Sequence, residues 1–181
     1  MPGVDDSKVR LRDPAEIESP ERKIETKSED RPPNSFYFGG KLLRVGEPND
    51  EECFRQAKLF SKQFGDSEGF DVDWDSFDYV FSVVNFYWQP QLDDRMTNDE
   101  LLKQLIRAAI EEYDDDNGTE LELIDYVGAN MAPCKGIMYY ITFRAKDVSS
   151  TNPELYQAKV RKFCDDIAVK LVREKPHKEI S

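Results

Sequence analysis

The chain has 181 residues, with 37 acidic against 25 basic side chains, a formal charge of −12, one histidine and three cysteines. That negative surplus excludes electrostatic capture of nucleic acid or of an anionic lipid surface. A lone imidazole, His177, excludes chemistry that needs placed histidines.

Cys53, Cys134 and Cys164 are odd in number, widely spaced and form no CxxC pair, so neither a disulfide framework nor a thiolate metal site is encoded. No run of 18 apolar residues occurs, which argues against a membrane span. The start, Met-Pro-Gly-Val-Asp-Asp, has neither a basic region nor an apolar stretch of the secretory type. Cytoplasmic or nuclear residence is the expectation.

Residues 1–35 hold five prolines, no aromatic side chain, seven Lys/Arg and nine Asp/Glu. Such a mixture cannot bury a core, and a disordered tail is expected there. Its charge is about −2, which leaves about −10 on the remainder.

A helix is expected from Pro48 to Phe64, capped by Asn49 or Asp50 and ended by Gly65. Phe54, Ala57, Phe60 and Phe64 would form its aromatic face. The acidic stretch Ser67–Asp75 reads as a solvated loop, and Tyr79–Trp88, rich in β-branched and aromatic residues, as a strand.

The clearest element follows. Thr97-Asn-Asp-Glu100 fits a capping box, and Leu102, Leu105, Ile106, Ala109, Ile110 and Tyr113 repeat as a helical stripe. Gly118 suits the left-handed end of that helix, after a run of three aspartates, Asp114 to Asp116, read as a solvated cap.

Four strands are then expected: Glu120–Val127, Ile137–Lys146, Leu155–Cys164 and Ile167–Arg173, the last two joined by a tight turn at Asp165-Asp166. In the second, Ile137, Tyr139, Ile141, Phe143 and Ala145 share one face. Tyr140 falls on the other face, where it is expected to be exposed. A strand, a long helix and a four-strand meander make an α+β fold, an antiparallel sheet wrapped around one helix.

The segment Leu105-Ile-Arg-Ala-Ala-Ile-Glu-Glu-Tyr-Asp114 resembles the helix signature of plant cystatins. Gly136–Lys146 and Leu155–Val160 resemble the strands that follow in the cystatin superfamily, and Phe54-Arg-Gln with Ser67–Val72 is similar to a plant group of cystatin-related proteins. The resemblance implies a wedge that enters the cleft of papain-like cysteine proteases. Its parts are a trunk glycine, a first hairpin loop with Gln-x-Val-x-Gly, and a second loop with Pro-Trp.

All three parts are altered. The first loop corresponds to Ala132, Pro133, Cys134, Lys135 and Gly136, and only the glycine is kept. Asp165 and Asp166 stand where Pro-Trp belongs, and no glycine occurs between Gly69 and Gly118. Presenting a lysine and two carboxylates to a largely apolar cleft adds desolvation cost.

Other patterns carry less. Asp71-Val-Asp-Trp-Asp75 invites a calcium reading, but counting from Asp71 the positions for glycine and glutamate hold Ser76 and Ser82. Cys134 beside Lys135 invites a reactive thiol, against the plainer reading of a partly exposed one. Cys164 is expected at a core edge. No nucleotide motif, nucleophile elbow or metal-ligand cluster is present, so no cofactor, metal or catalytic residue is expected.

The domains expected are a tail at 1–35, a helical and aromatic extension at 36–78, a cystatin-like domain at 79–175 and a short tail at 176–181. The function implied is non-catalytic binding of another protein, papain-like cysteine proteases included, through the two hairpin loops. The competing reading is a structural or interaction module that binds no protease. Excess acid at the second loop would call for a basic or polar partner face.

Overall fold

The computed structural model describes residues 31–178. Most of the tail expected at 1–35, and the last three residues, lie outside the described residues. The described chain begins with a hairpin, β1 (Ser35–Phe38) and β2 (Lys41–Arg44), then α1 (Glu51–Asp66) and the two-residue strand β3 (Val84–Asn85). Next come α2 (Asn98–Asn117) and the strands β4 (Leu121–Cys134), β5 (Gly136–Asp147), β6 (Glu154–Phe163) and β7 (Asp166–Glu174). Strands β3 to β7 form one antiparallel sheet in chain order, packed against α2. The expected α+β architecture is present.

The α2 helix forms where its signals stand. The Thr97 hydroxyl accepts from the Glu100 N–H at 3.2 Å, and the Glu100 carboxylate accepts from the Thr97 N–H at 2.8 Å. Gly118 closes the helix in the left-handed region at φ 64°. Its apolar stripe, with Leu101 added, is buried against Tyr139, Ile141, Phe143 and Ala145 of β5 and Ala158 and Val160 of β6. Burying each of these leucine or isoleucine side chains contributes roughly 1.5–3 kcal/mol. The concave side of the sheet is thereby filled.

Residues 36–78 cover the opposite face. Tyr140, expected to be exposed, is buried beneath Phe64 and Phe70, whose rings meet it edge-on at 5.3 and 5.8 Å. Gly69 passes directly over that ring at φ 97°, and a β-carbon there would collide with it. The carboxamide of Asn130 on β4, 3% exposed, joins the two layers. Its nitrogen donates to the carbonyls of Gly69 and Phe70 at 2.8 and 3.2 Å, and its oxygen accepts from the Trp74 indole at 2.8 Å. A second core of Phe60, Phe77 and Val83 lies there, with Trp74, Phe81 and Ala132 packed on it.

Several expected elements change. The strand expected at Tyr79–Trp88 shrinks to Val84–Asn85; Phe86–Trp88 is a 3-10 turn, and Tyr79 makes an isolated bridge to Arg44. Val84 and Phe86 join the main core and Phe81 and Val83 the second, so composition read as strand is here irregular core chain. Helix α1 is capped by Asp50 and runs through Gly65, but Phe54 is 60% exposed. Gln56 is buried instead and exchanges hydrogen bonds with Asp78. The loop at Ser67–Asp75 is pinned rather than solvated: Ser67 Oγ bonds the Asp71 backbone twice, and Lys175 reaches the Asp71 carboxylate at 3.0 Å.

The β1–β2 hairpin has no counterpart in the sequence reading. Gly39 and Gly40, at φ 57° and 84°, form its turn, and Gly39 lies against Trp88.

Replacing Asn130 with leucine leaves a half-buried indole donor and two carbonyls without this partner. An expected loss of about 2–4 kcal/mol in urea unfolding follows, and a loss below about 0.5 kcal/mol would show that the two layers are not joined there.

Candidate functional site

The hairpin between β4 and β5 is tighter than a five-residue loop. Ala132 pairs with Met138, Pro133 with Ile137, and Cys134 with Gly136, so Lys135 alone forms the apex. This corrects the strand end expected at Val127, because β4 continues to Cys134. Pro133, Cys134 and Lys135 are exposed, whereas Ala132 is half-buried against the second core. Gly136 has φ 94°, and a β-carbon there would strike the Lys162 carbonyl oxygen. Only glycine fits where the first hairpin leans on β6.

The second hairpin also shifts by one residue. Phe163 pairs with Asp166, so the turn is Cys164-Asp165, and Asp166 begins β7 instead of sharing the turn. Cys164, expected at a core edge, is exposed and adopts φ 51°. A two-residue hairpin needs a positive φ for its twist, and a non-glycine residue meets that need at the cost of local strain.

Asp165 is not free negative charge. Arg95, in the turn before α2, donates to Asp165 at 2.6 Å and to Asp93 through both Nε and Nη2 at 3.2 Å. Lys162 approaches the second Asp93 oxygen at 3.6 Å. Asp166 lies 3.4 Å from Arg161. Hydrogen bonds from Arg95 and the nearby Lys162 hold the Asp93 carboxyl down at about 2, and Arg95 lowers Asp165 as well. The acidic tip expected from sequence is therefore compensated within the chain.

One residue at this edge was not singled out by its sequence position. Phe163 is 41% exposed at the end of β6, next to Gly136, with the Lys135 ammonium 5.6 Å from its ring centroid. It supplies an aromatic side chain two residues before Asp165 and directly across the hairpin from Asp166, where Pro-Trp is missing. The available signal was the β6 alternation itself: Tyr156, Ala158 and Val160 face the core, so an aromatic three residues past Val160 falls outside that face.

Elsewhere, a cleft of about 810 Å³ lies between residues 63–74 and the sheet, with Tyr87, Asn130, Gln157 and Arg173 among its walls. Arg173 pairs there with Glu68 and Lys175 with Asp71, so two of its cations are already engaged. Among the described residues, no group of three or more His, Cys, Asp or Glu side chains is arranged to hold a metal. Cys53, half-buried, has its thiol pushed up by burial and by Asp50.

Residues 90–170 match the family model of the cystatin domain. The match runs from the turn before α2 into β7 and takes in both hairpins, the braced turn and the helix. Proteins of that family are non-catalytic inhibitors that bind cysteine proteases. No curated protein matches the chain.

The ordinary aspartate value is 3.8, and that of folded Asp93 lies below it, so its ion pairs contribute fully above about pH 4 and are lost as pH falls through about 2. The side-chain carboxyl resonance of Asp93 should stay flat from pH 7 to about 4 and titrate through about 2. Titration of Asp93 at an ordinary value would show that the brace is not formed.

Proposed function

We propose that the chain is a non-catalytic protein-binding protein on a cystatin scaffold, inhibitor-like toward cysteine proteases but with the inhibitory wedge largely lost. The binding edge in this reading comprises Pro133, Cys134 and Lys135 of the first hairpin, Gly136 at its foot, and Phe163, Cys164 and Asp165 of the second. Ala132, half-buried against the second core, supports that edge from below, and the exposed Asp166 flanks it at the start of β7.

The observation that carries the reading is Phe163, a large aromatic side chain left 41% exposed where the two hairpins meet. Exposed aromatics of this kind are frequent anchors in interfaces. The departures from the inhibitory pattern weaken affinity without removing the edge. Lys135 must be desolvated to enter an apolar cleft, and the second hairpin has no tryptophan.

That same cost favours a second reading, an interaction module that binds no protease. The likeness of the helix segment to plant cystatins supports a plant-type origin in either case. Three free cysteines, two of them exposed, support residence in the reducing cytoplasm or nucleus.

Inhibition of papain by the purified chain separates the two readings. An inhibition constant of about 1–50 μM is expected, rising about tenfold for Phe163→Ala. No inhibition at about 100 μM would leave the interaction module standing and end the protease reading.

A further inference from the structure

We infer that the turn Asp93–Met96 is a third element of the partner-binding edge, with Arg95 as the positioning residue that ties it to the second hairpin. This rests on the binding edge proposed above.

The turn is fixed from three sides. Leu92 and Met96 are packed against the main core below it. The capping box of Thr97 and Glu100 fixes its exit into α2, and Asn98 Oδ1 accepts from the Leu92 N–H at 2.9 Å. Asp93 accepts from the Arg95 N–H at 2.8 Å, which closes the turn on itself.

The third side is the second hairpin. Arg95 bridges the Asp93 and Asp165 carboxylates, and Lys162 reaches back to Asp93 while donating to the Cys164 carbonyl at 2.8 Å. The Asp93–Lys162 pair is well covered, its side chains 11% and 14% exposed. Bidentate guanidinium–carboxylate contacts fix orientation as well as distance. Phe163 lies between these partners in sequence, flanked by Lys162 on one side and Cys164-Asp165 on the other.

What the turn offers to solvent is charged: Asp94 is exposed, and the Arg95 side chain is 61% exposed. A partner that seats on Phe163 therefore meets an Asp-Arg rim beyond it. The rim selects for a polar, hydrogen-bonding surface at that point, in contrast to the apolar surface that Phe163 requires. The element lies on the side of the second hairpin, tied to it by Arg95 and Lys162.

The test uses the full chain and three variants, Arg95→Ala, Arg95→Lys and Lys103→Ala. The last removes an ion pair with Asp99 on the same helix start and leaves the hairpin untouched. Amide exchange is followed by NMR, and dissociation from papain is measured in parallel. In Arg95→Ala, exchange at Phe163–Ile167 should rise at least about fivefold, with Cys134–Ile137 unchanged. Papain dissociation should quicken about tenfold while association stays within about twofold. Arg95→Lys should recover part of both effects, and Lys103→Ala should show neither.

Unchanged exchange at the second hairpin, or a rise spread over all strands, would overturn the positioning role. Unchanged dissociation from a wild type that does bind would overturn the third element alone. A wild type that fails to bind papain would sink the partner reading and, with it, this extension.

Discussion

An antiparallel sheet with one helix beneath it leaves a second face to cover, and this chain covers it with residues from its own N-terminal half. The sheet is consequently buried on both sides, by α2 below and by the Phe60–Trp74 region above. The outer face carries polar side chains, as the alternation of half-buried strands dictates. Once covered, those groups need partners. Asn130 meets that demand at three bonds, and Gln157 accepts from Arg173 at 3.0 Å. Thr142 Oγ1 is buried without a partner, which marks where this packing is least satisfied.

With both faces covered, the edge where the hairpins turn is the surface that the proposed reading leaves to a partner. There the chain does not simply expose loops. Gly136 lets the first hairpin rest on β6, Lys135 lies over Phe163, and Arg95 holds Asp165 from the helix side. Exposed ion pairs taken singly stabilise little. Here two acids and two bases share contacts within one network, so removal of Arg95 leaves Asp165 unpaired and removal of Asp93 leaves Lys162 without its acid. The edge is thus held by electrostatics across loops and by packing within strands.

How much of this was legible in sequence follows from the range of each interaction. The α2 helix, its capping box and its glycine end depend on neighbours within four residues, and they read correctly. So did the buried face of β5, which needs only a period of two. The exposure of Tyr140 failed because its cover arrives from Phe64, Gly69 and Phe70, some seventy residues upstream. The acidity assigned to the second hairpin failed for the same reason, since Arg95 lies 70 positions from Asp165. Gly39-Gly40 between two short apolar runs was a readable hairpin signal, and the aromatic tract at Tyr79–Trp88 misled because core-forming composition is common to strands and to tightly packed irregular chain.

The central claim is that the two hairpin tips, joined at Phe163, form the surface a protein partner uses. Its most direct test is an NMR titration of isotope-labelled protein with active-site-blocked papain. The account predicts that amide shifts concentrate at 133–136 and 163–166, with the α2 surface and the 810 Å³ cleft unaffected. Perturbations centred on that cleft, or none at either hairpin, would contradict it.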